Sequence, residues 1–376
     1  MKILQTPVRF YPCIGGVENY VYNISKVLVE LGQDVKVICA NEPAGSISMQ
    51  ICGIKVKRLP YTGKIANTNV TPGLPIALLK EDFDILHTHL PTPWSADWSA
   101  FLAKARGRPL VLTYHNDIVG RGFAGSLAWI YNSAGLPLLL KAASRVIITQ
   151  RNYMASSSYL KNHKDKLVVV PNGVDTDRFR QIDRNKGKAP DGKTVFFLGL
   201  LDRFHRYKGL DILLQAMAAV TRQMPDAKLL VGGNGELLDH YRDIAATLGI
   251  SKNMEFLGFV PDAMLTECYN RCDAFILPSI SSEQEGFGIV LLEAMACERP
   301  VISTEIVGVA DDVLRFDTGR IVKPGDINAL ANAIIEILDD DALAAEMGHR
   351  GRRLVEEKYT WRKIGRDVLR IYEELI

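Results

Sequence analysis

A membrane-spanning helix needs roughly 18 uninterrupted apolar residues, and no stretch of this sequence supplies them. Any membrane contact is therefore expected at the bilayer surface. An excess of charge of either sign is also missing. The 45 basic residues stand against 43 acidic ones, a formal net charge of +2, so no global basic field points to nucleic acid as a partner. The six cysteines, at positions 13, 39, 52, 268, 272 and 297, are scattered. Only Cys268 and Cys272 lie close together, and one Cys-x-x-x-Cys pair without a second Cys or His pair is weak as a zinc site. Reduced core thiols and no metal are expected. The opening Met-Lys-Ile-Leu-Gln is too short for the apolar region of a signal peptide and reads as a first buried strand. A cytoplasmic protein is expected, with the Asn-x-Ser/Thr matches at Asn23 and Asn69 unglycosylated.

What is present is ordinary globular composition, 47% hydrophobic and 23% charged, which excludes a disordered or collagen-like chain. A length of 376 residues suits two α/β domains, each able to bury its own core. Short apolar runs at residues 2–6, 35–39, 85–87, 110–114, 145–149 and 167–170 alternate with helical patterns, the signature of parallel strands. A polar stretch at 181–193 then reads as an interdomain linker. The strand pattern restarts at 194–198, 227–231, 254–257, 274–277, 300–303 and 319–322. The last segment places Ile364, Val368, Ile371 and Tyr372 on one helical stripe. The expected organisation is an α/β chain of two Rossmann-like domains, 1–180 and 194–358, with a closing helix at 359–376. Open parallel sheets bind ligands beyond the carboxyl ends of their strands, so two such domains facing each other would form a shared cleft.

The strongest local signal is Ser281 to Ala294, where a loop with Gly286, Phe287 and Gly288 runs into a helix start. The glycines let backbone amides approach a phosphate or sugar oxygen. Glu285 precedes that helix and Glu293 follows about two turns later, roughly on the same face and about 10–12 Å away, a span that suits two ends of one extended ligand. The plain alternative is an acidic helix cap and a solvated glutamate. A second signal is the strand 195–198 and Gly199, followed by a loop with Arg203, Arg206 and Lys208-Gly209. Its cations suit a diphosphate, against the bland reading of a solvated loop. Third, Gly232-Gly233-Asn234-Gly235 closes a strand in a nucleotide-style turn. It lacks the G-x-G-x-x-G and acidic partner of a hydride-transfer enzyme, so the dinucleotide oxidoreductase reading loses ground.

In the first half, Gly15-Gly16 joins a strand to the helix carrying Tyr20, Val21, Ile24, Val27 and Leu28. This turn admits a phosphate or sugar as readily as it serves as a plain tight turn. His87, His89 and His115 stand at strand ends, where a structural hydrogen-bonding role competes with a site role and metal-ligand spacing is lacking. Residues 121–141, apolar and aromatic with basic ends and broken by Pro137, read either as a peripheral contact with anionic membrane or as an internal helix pair.

Taken in order, Gly15-Gly16, His115, Asn172-Gly173-Val174-Asp175, Lys208-Gly209 and Glu285-Gly286-Phe287-Gly288 with Glu293 resemble glycosyltransferase family 4, the retaining enzymes of GT-B fold. The resemblance covers nearly the whole chain. It implies a hexose, mannose or glucose, moved from a GDP- or UDP-sugar donor to a glycan or lipid-linked acceptor, without metal or other cofactor. It further implies Glu293 on the ribose hydroxyls, Glu285 and His115 near the donor sugar, and backbone contacts from Gly286, Phe287 and Gly288. Lys208 and an arginine would hold the diphosphate with the Gly15-Gly16 amides. The family usually carries Arg directly after the strand glycine, where this chain has Leu200; Arg203 is the replacement chosen here. The mechanism implied is front-face substitution, the departing phosphate helping to deprotonate the acceptor. A sugar-nucleotide epimerase, a phosphorylase and a non-catalytic glycan-binding scaffold on the same fold stay open at this point. A phosphorylase would need a pyridoxal phosphate lysine site that the sequence does not display.

Overall fold

The expected apolar runs become strands, buried on both faces in the middle of each sheet and partly exposed at 167–169, 254–258 and 319–322. The computed structural model describes residues 1–376 except Ile14, 66–67, 119–122, Asn152, 183–192 and Glu283, together with the side chains of Phe123, Ala124, Ala155 and Ser156. Most of the expected linker therefore lies outside the described residues, as does the start of the 121–141 segment. The chain divides into two compact units, one of Met1–Asn172 with Trp361–Ile376 and the other of Gly173–Thr360. The division falls before residue 180 because Val174 bridges to Thr360 and Phe179 enters the second unit's core.

In the first unit the main strands are β1 (Lys2–Thr6), β2 (Asp34–Ala40), β3 (Ser48–Ile51) and β4 (Ile54–Leu59). A separate hairpin, β5 (Gly63–Ile65) with β6 (Thr68–Val70), precedes β7 (Ile85–Leu90), β8 (Leu110–Tyr114), β9 (Arg145–Ile148) and β10 (Leu167–Val169). The eight-stranded sheet runs β10-β9-β8-β7-β1-β2-β4-β3, parallel except for β3 on β4. Expectation missed β3 and β4, because the lysines of Ile-Lys-Val-Lys-Arg-Leu interrupt the apolar run that marks a strand buried on both faces. The helices are α1 (Gly16–Glu30), α2 (Leu74–Leu79), α3 (Pro93–Ala105), α4 (Phe123–Ala142) and the short α5 (Tyr153–Ser156). Alternate strand residues serve opposite faces: Ile3, Val111 and Ile147 pack with α1, while Leu4, Leu112 and Ile148 join a separate core with α3 and α4. On α4, Leu136, Leu139 and Leu140 are buried whereas Trp129, Ile130 and Leu138 are exposed. Among the described residues no helix is long and apolar enough to cross a membrane.

The second unit carries β11 (Thr194–Leu198), β12 (Lys228–Gly232), β13 (Met254–Gly258), β14 (Ala274–Leu277), β15 (Val301–Thr304) and β16 (Gly319–Val322). Their order is β13-β12-β11-β14-β15-β16, all parallel. This is the doubly wound Rossmann order, whose switch point lies between β11 and β14. Between and after the strands come α6 (Leu210–Gln223), α7 (Leu238–Thr247), α8 (Asp262–Arg271), α9 (Ile289–Ala296), α10 (Ala310–Arg315), α11 (Ile327–Asp339) and α12 (Asp341–Lys358). The last helix, α13 (Trp361–Glu373), belongs to the first unit, where Ile364, Val368, Ile371 and Tyr372 enter the core beside α1. Cys39, Cys268, Cys272 and Cys297 are buried free thiols, but Cys52 is exposed and Cys13 half-buried.

Candidate active site

A ligand on an open parallel sheet sits outside the strand ends at the switch point, which here means the segments that follow β11 and β14. After β11 the chain makes a single 3₁₀ turn at Arg206–Lys208 and enters α6 through Gly209, whose φ of +79° is left-handed. After β14 it passes Pro278 and Ser279 and enters α9 through Gly288, with φ +81°. The two segments meet at Lys208 and Glu285: Nζ lies 3.6 Å from Oε2. The same oxygen accepts a 2.7 Å hydrogen bond from Ser279 Oγ, and Thr304 Oγ1 donates to the Ser279 carbonyl at 2.7 Å. Glu285 and Ser279 are buried. Burial pulls the Lys208 ammonium down, but the Glu285 charge, the Tyr207 phenol and a hydrogen bond to Glu285 together outweigh it and hold the lysine above its ordinary value. Gly199 leaves room for the Lys208 stem, since a Cβ there would stand 2.8 Å from Lys208 Cδ.

Glu293, on α9, has a different surrounding. Tyr269 of α8 donates its phenolic hydrogen bond to Oε2 at 2.6 Å. Burial pushes the Glu293 carboxyl up to about 7, opposed by the Tyr269 hydrogen bond and by the Arg178 charge, with Asp262 adding to the rise. Arg178 and Asp262 pair with each other at 3.0 Å. Phe287 is buried and packs its ring on Tyr359, while Gly286 is half-buried.

The other expected residues fall elsewhere. Arg203 lies exposed and pairs with Glu236 at 3.0 Å, Arg206 pairs with Asp211 at 2.8 Å, and Leu200 is exposed. In the glycine turn after β12 the backbone packs closely: with φ +131° at Gly233, a Cβ would lie 1.8 Å from the Gly199 carbonyl oxygen. Asn234 is exposed and holds the turn, its carbonyl accepting from Leu201 N and its side chain from Gly235 N.

In the first unit, Gly15 caps α1 with an extended backbone and Gly16 is the first helical residue. Beside them Glu18 pairs with Arg9 at 3.0 Å, both largely buried. His115, just past β8, is buried with its Nε2 3.5 Å from His89 Nδ1, and the edge of the Tyr20 ring packs 5.0 Å from it between centroids. His89 Nε2 faces Gln5 Oε1 at 2.9 Å, and His87 bridges Thr113 Oγ1 and the Tyr372 hydroxyl. Burial lowers all three imidazoles, His87 and His115 to about 3. Among the described residues no grouping of three or more His, Cys, Asp or Glu could hold a metal ion.

Sequence reasoning did not single out Ser279 or Tyr269. Ser279 had a usable signal, standing just beyond a strand end at the switch point. Tyr269 had none, since its hydrogen-bond partner is distant in the chain.

Residues 178–354 match the family described as Glycosyl transferases group 1, and residues 14–178 the one described as Glycosyltransferase Family 4. A phosphatidyl-myo-inositol mannosyltransferase of Mycolicibacterium smegmatis is 29% identical over 364 residues, 96% of this chain and 90% of that protein. An O-antigen chain mannosyltransferase C of Escherichia coli is 29% identical over 373 residues, 96% of this chain and 95% of its own. Among solved structures, a sucrose-phosphate synthase from Thermosynechococcus elongatus has a TM-score of 0.79 at 24% identity, covering 100% of this chain and 98% of that one. Anabaena HepE, solved with UDP and glucose, has a TM-score of 0.76 at 19% identity, covering 100% of both chains. The fold is that of the GT-B enzymes, two Rossmann-like domains.

Proposed function

This chain belongs to the group 1, family 4 glycosyltransferases, and on that premise we propose that it transfers mannose from a nucleoside diphosphate donor to a lipid-linked or glycan hydroxyl, with retention and without metal. The relatives named above as mannosyltransferases support the sugar, and GDP and UDP are the two donor nucleotides to compare. The observation that carries the reading is the mostly buried Lys208–Glu285–Ser279 group in the segments that follow β11 and β14.

In this reading the second unit binds the donor and the first takes the acceptor. A lysine ammonium has three donors, so Lys208 keeps Glu285 as one partner while offering others to the diphosphate. Its positive charge offsets the negative charge that grows as the sugar C1–O bond to the diphosphate breaks. The acceptor oxygen bonds C1 from the same face, and its proton passes to the departing phosphate oxygen. Glu285, fixed by Ser279, faces the positive charge that develops at the sugar ring. Glu293 accepts from the ribose hydroxyls. Exposed Trp129, Ile130 and Leu138 on α4, with Lys141 nearby, are the surface proposed to touch an anionic membrane around a lipid-linked acceptor.

Calorimetric titration with GDP and UDP in excess EDTA tests the donor half. One nucleotide is expected to bind, and Glu293→Ala to weaken it about tenfold or more, the value of lost hydrogen bonds to a charged group. A folded protein that binds neither nucleotide, with or without added divalent metal, sinks the reading.

A further inference from the structure

Glu293 is half-buried and only one of its two carboxylate oxygens is engaged: Tyr269 donates to Oε2 at 2.6 Å, and Oε1 has no hydrogen-bond partner among the described residues. The phenol that makes this contact is rigidly placed. Its ring is buried with centroids 5.8 Å from Phe179, 5.5 Å from Phe196 and 5.3 Å from Phe275, packing that restricts where the hydroxyl can point. A glutamate on a helix otherwise has three rotatable bonds, and a buried carboxylate without a donor is costly.

We propose that Tyr269 is the positioning residue for Glu293, holding one carboxylate oxygen so that the other is presented, ionised, to the ribose diol of the donor. This rests on the reading that a nucleoside diphosphate occupies the second unit. Tyr269 does not touch the nucleotide and acts through Glu293 alone. The charged and titratable groups that face Glu293 are Arg178, which favours the carboxylate, Asp262, which opposes it, Tyr269 itself, and Cys297 at the end of α9. Burial holds the Tyr269 phenol and the Cys297 thiol above their ordinary values, so both stay protonated near neutral pH. Glu293, pushed up to about 7, titrates in that range. A carboxyl in this position accepts from both ribose hydroxyls only when ionised, and the Tyr269 hydrogen bond is a force that keeps it so.

The test is calorimetry on the full chain with whichever of GDP and UDP binds, and with its 2′,3′-dideoxy analogue, from pH 6 to 9, for the wild type and Tyr269→Phe. The substitution keeps the ring and removes only the hydroxyl. Wild-type affinity for the ribonucleotide is expected to rise about tenfold between pH 6 and 8, relative to the dideoxy analogue, as one group near pH 7 ionises. In Tyr269→Phe that rise moves upward by about one pH unit, leaving a several-fold deficit at pH 7 that largely closes by pH 9. An unchanged pH profile in Tyr269→Phe overturns the proposal. So does an equal loss for ribonucleotide and dideoxy analogue at every pH, which marks a merely structural tyrosine. If neither nucleotide binds the wild type, the donor reading itself has failed and this inference falls with it, a result distinct from the other two.

Discussion

The Lys208 ammonium and the Glu285 carboxylate stand 3.6 Å apart in the segments that follow two directly paired strands, the carboxylate buried and the ammonium mostly so. Removing the lysine takes the opposite charge away from a buried carboxylate, and the cost is asymmetric: about 3–5 kcal/mol for breaking a buried pair against about 0–1 kcal/mol for an exposed one. Lys208→Met should therefore lower both stability in urea and kcat/KM, the latter by about 10²-fold or more if the charge serves the leaving diphosphate. Arg203→Ala, which removes only an exposed pair with Glu236, should change kcat/KM less than about fivefold. Equal losses in the two variants would assign the diphosphate to the outer loop.

Ser279→Ala should reveal whether Glu285 needs its tether. The alanine leaves a buried carboxylate oxygen without its 2.7 Å donor, a destabilisation of about 1–3 kcal/mol. Turnover should fall more than substrate affinity if Glu285 acts mainly on charge that develops during reaction. A change confined to KM would place Glu285 in donor binding alone.

Gly233→Ala and Gly16→Ala should move stability in opposite directions. A Cβ at Gly233 meets the Gly199 carbonyl oxygen at 1.8 Å on a backbone with φ +131°, so a loss of about 3 kcal/mol or more is expected. At Gly16, in the first turn of α1, nothing lies within 4 Å of the new Cβ, and the helix should gain about 0.5–1 kcal/mol. Denaturant midpoints with unchanged slopes decide both.

Stability should also fall on mild acidification. His87, His89 and His115 are buried with folded values depressed below their ordinary 6.5, to about 3 for His87 and His115. Below pH 6.5 the unfolded chain binds protons that the folded chain refuses, so each histidine favours unfolding by about 1.4 kcal/mol per pH unit until the folded value is reached. Urea unfolding between pH 7 and 5 should show this slope, and it should be shallower in His89→Gln, which can keep a polar contact with Gln5. An identical slope in that variant would remove His89 from the set.

Much of this architecture was readable from neighbours in the chain. The apolar runs at 194–198 and 274–277 became β11 and β14 without adjustment, and the stripe of Ile364, Val368, Ile371 and Tyr372 became the buried face of α13. Lys208-Gly209 and Glu285 to Gly288 were legible because a glycine before a helix is a local signal. β4 was lost for an equally local reason, its lysines breaking the run of apolar residues.

The sequence by itself determined which segments become strands and helices, since period and turn residues are properties of a few adjacent positions. Only the tertiary structure decided the partners. It gave Glu285 the hydroxyl of Ser279 and the ammonium of Lys208, gave Glu293 the phenol of Tyr269, turned Arg203 toward Glu236, and set the Tyr372 hydroxyl against His87 from the far end of the chain. The physical reason is range: a hydrogen bond or ion pair depends on where separate elements pack to within a few ångströms, and that distance is not encoded in the spacing of letters along either element.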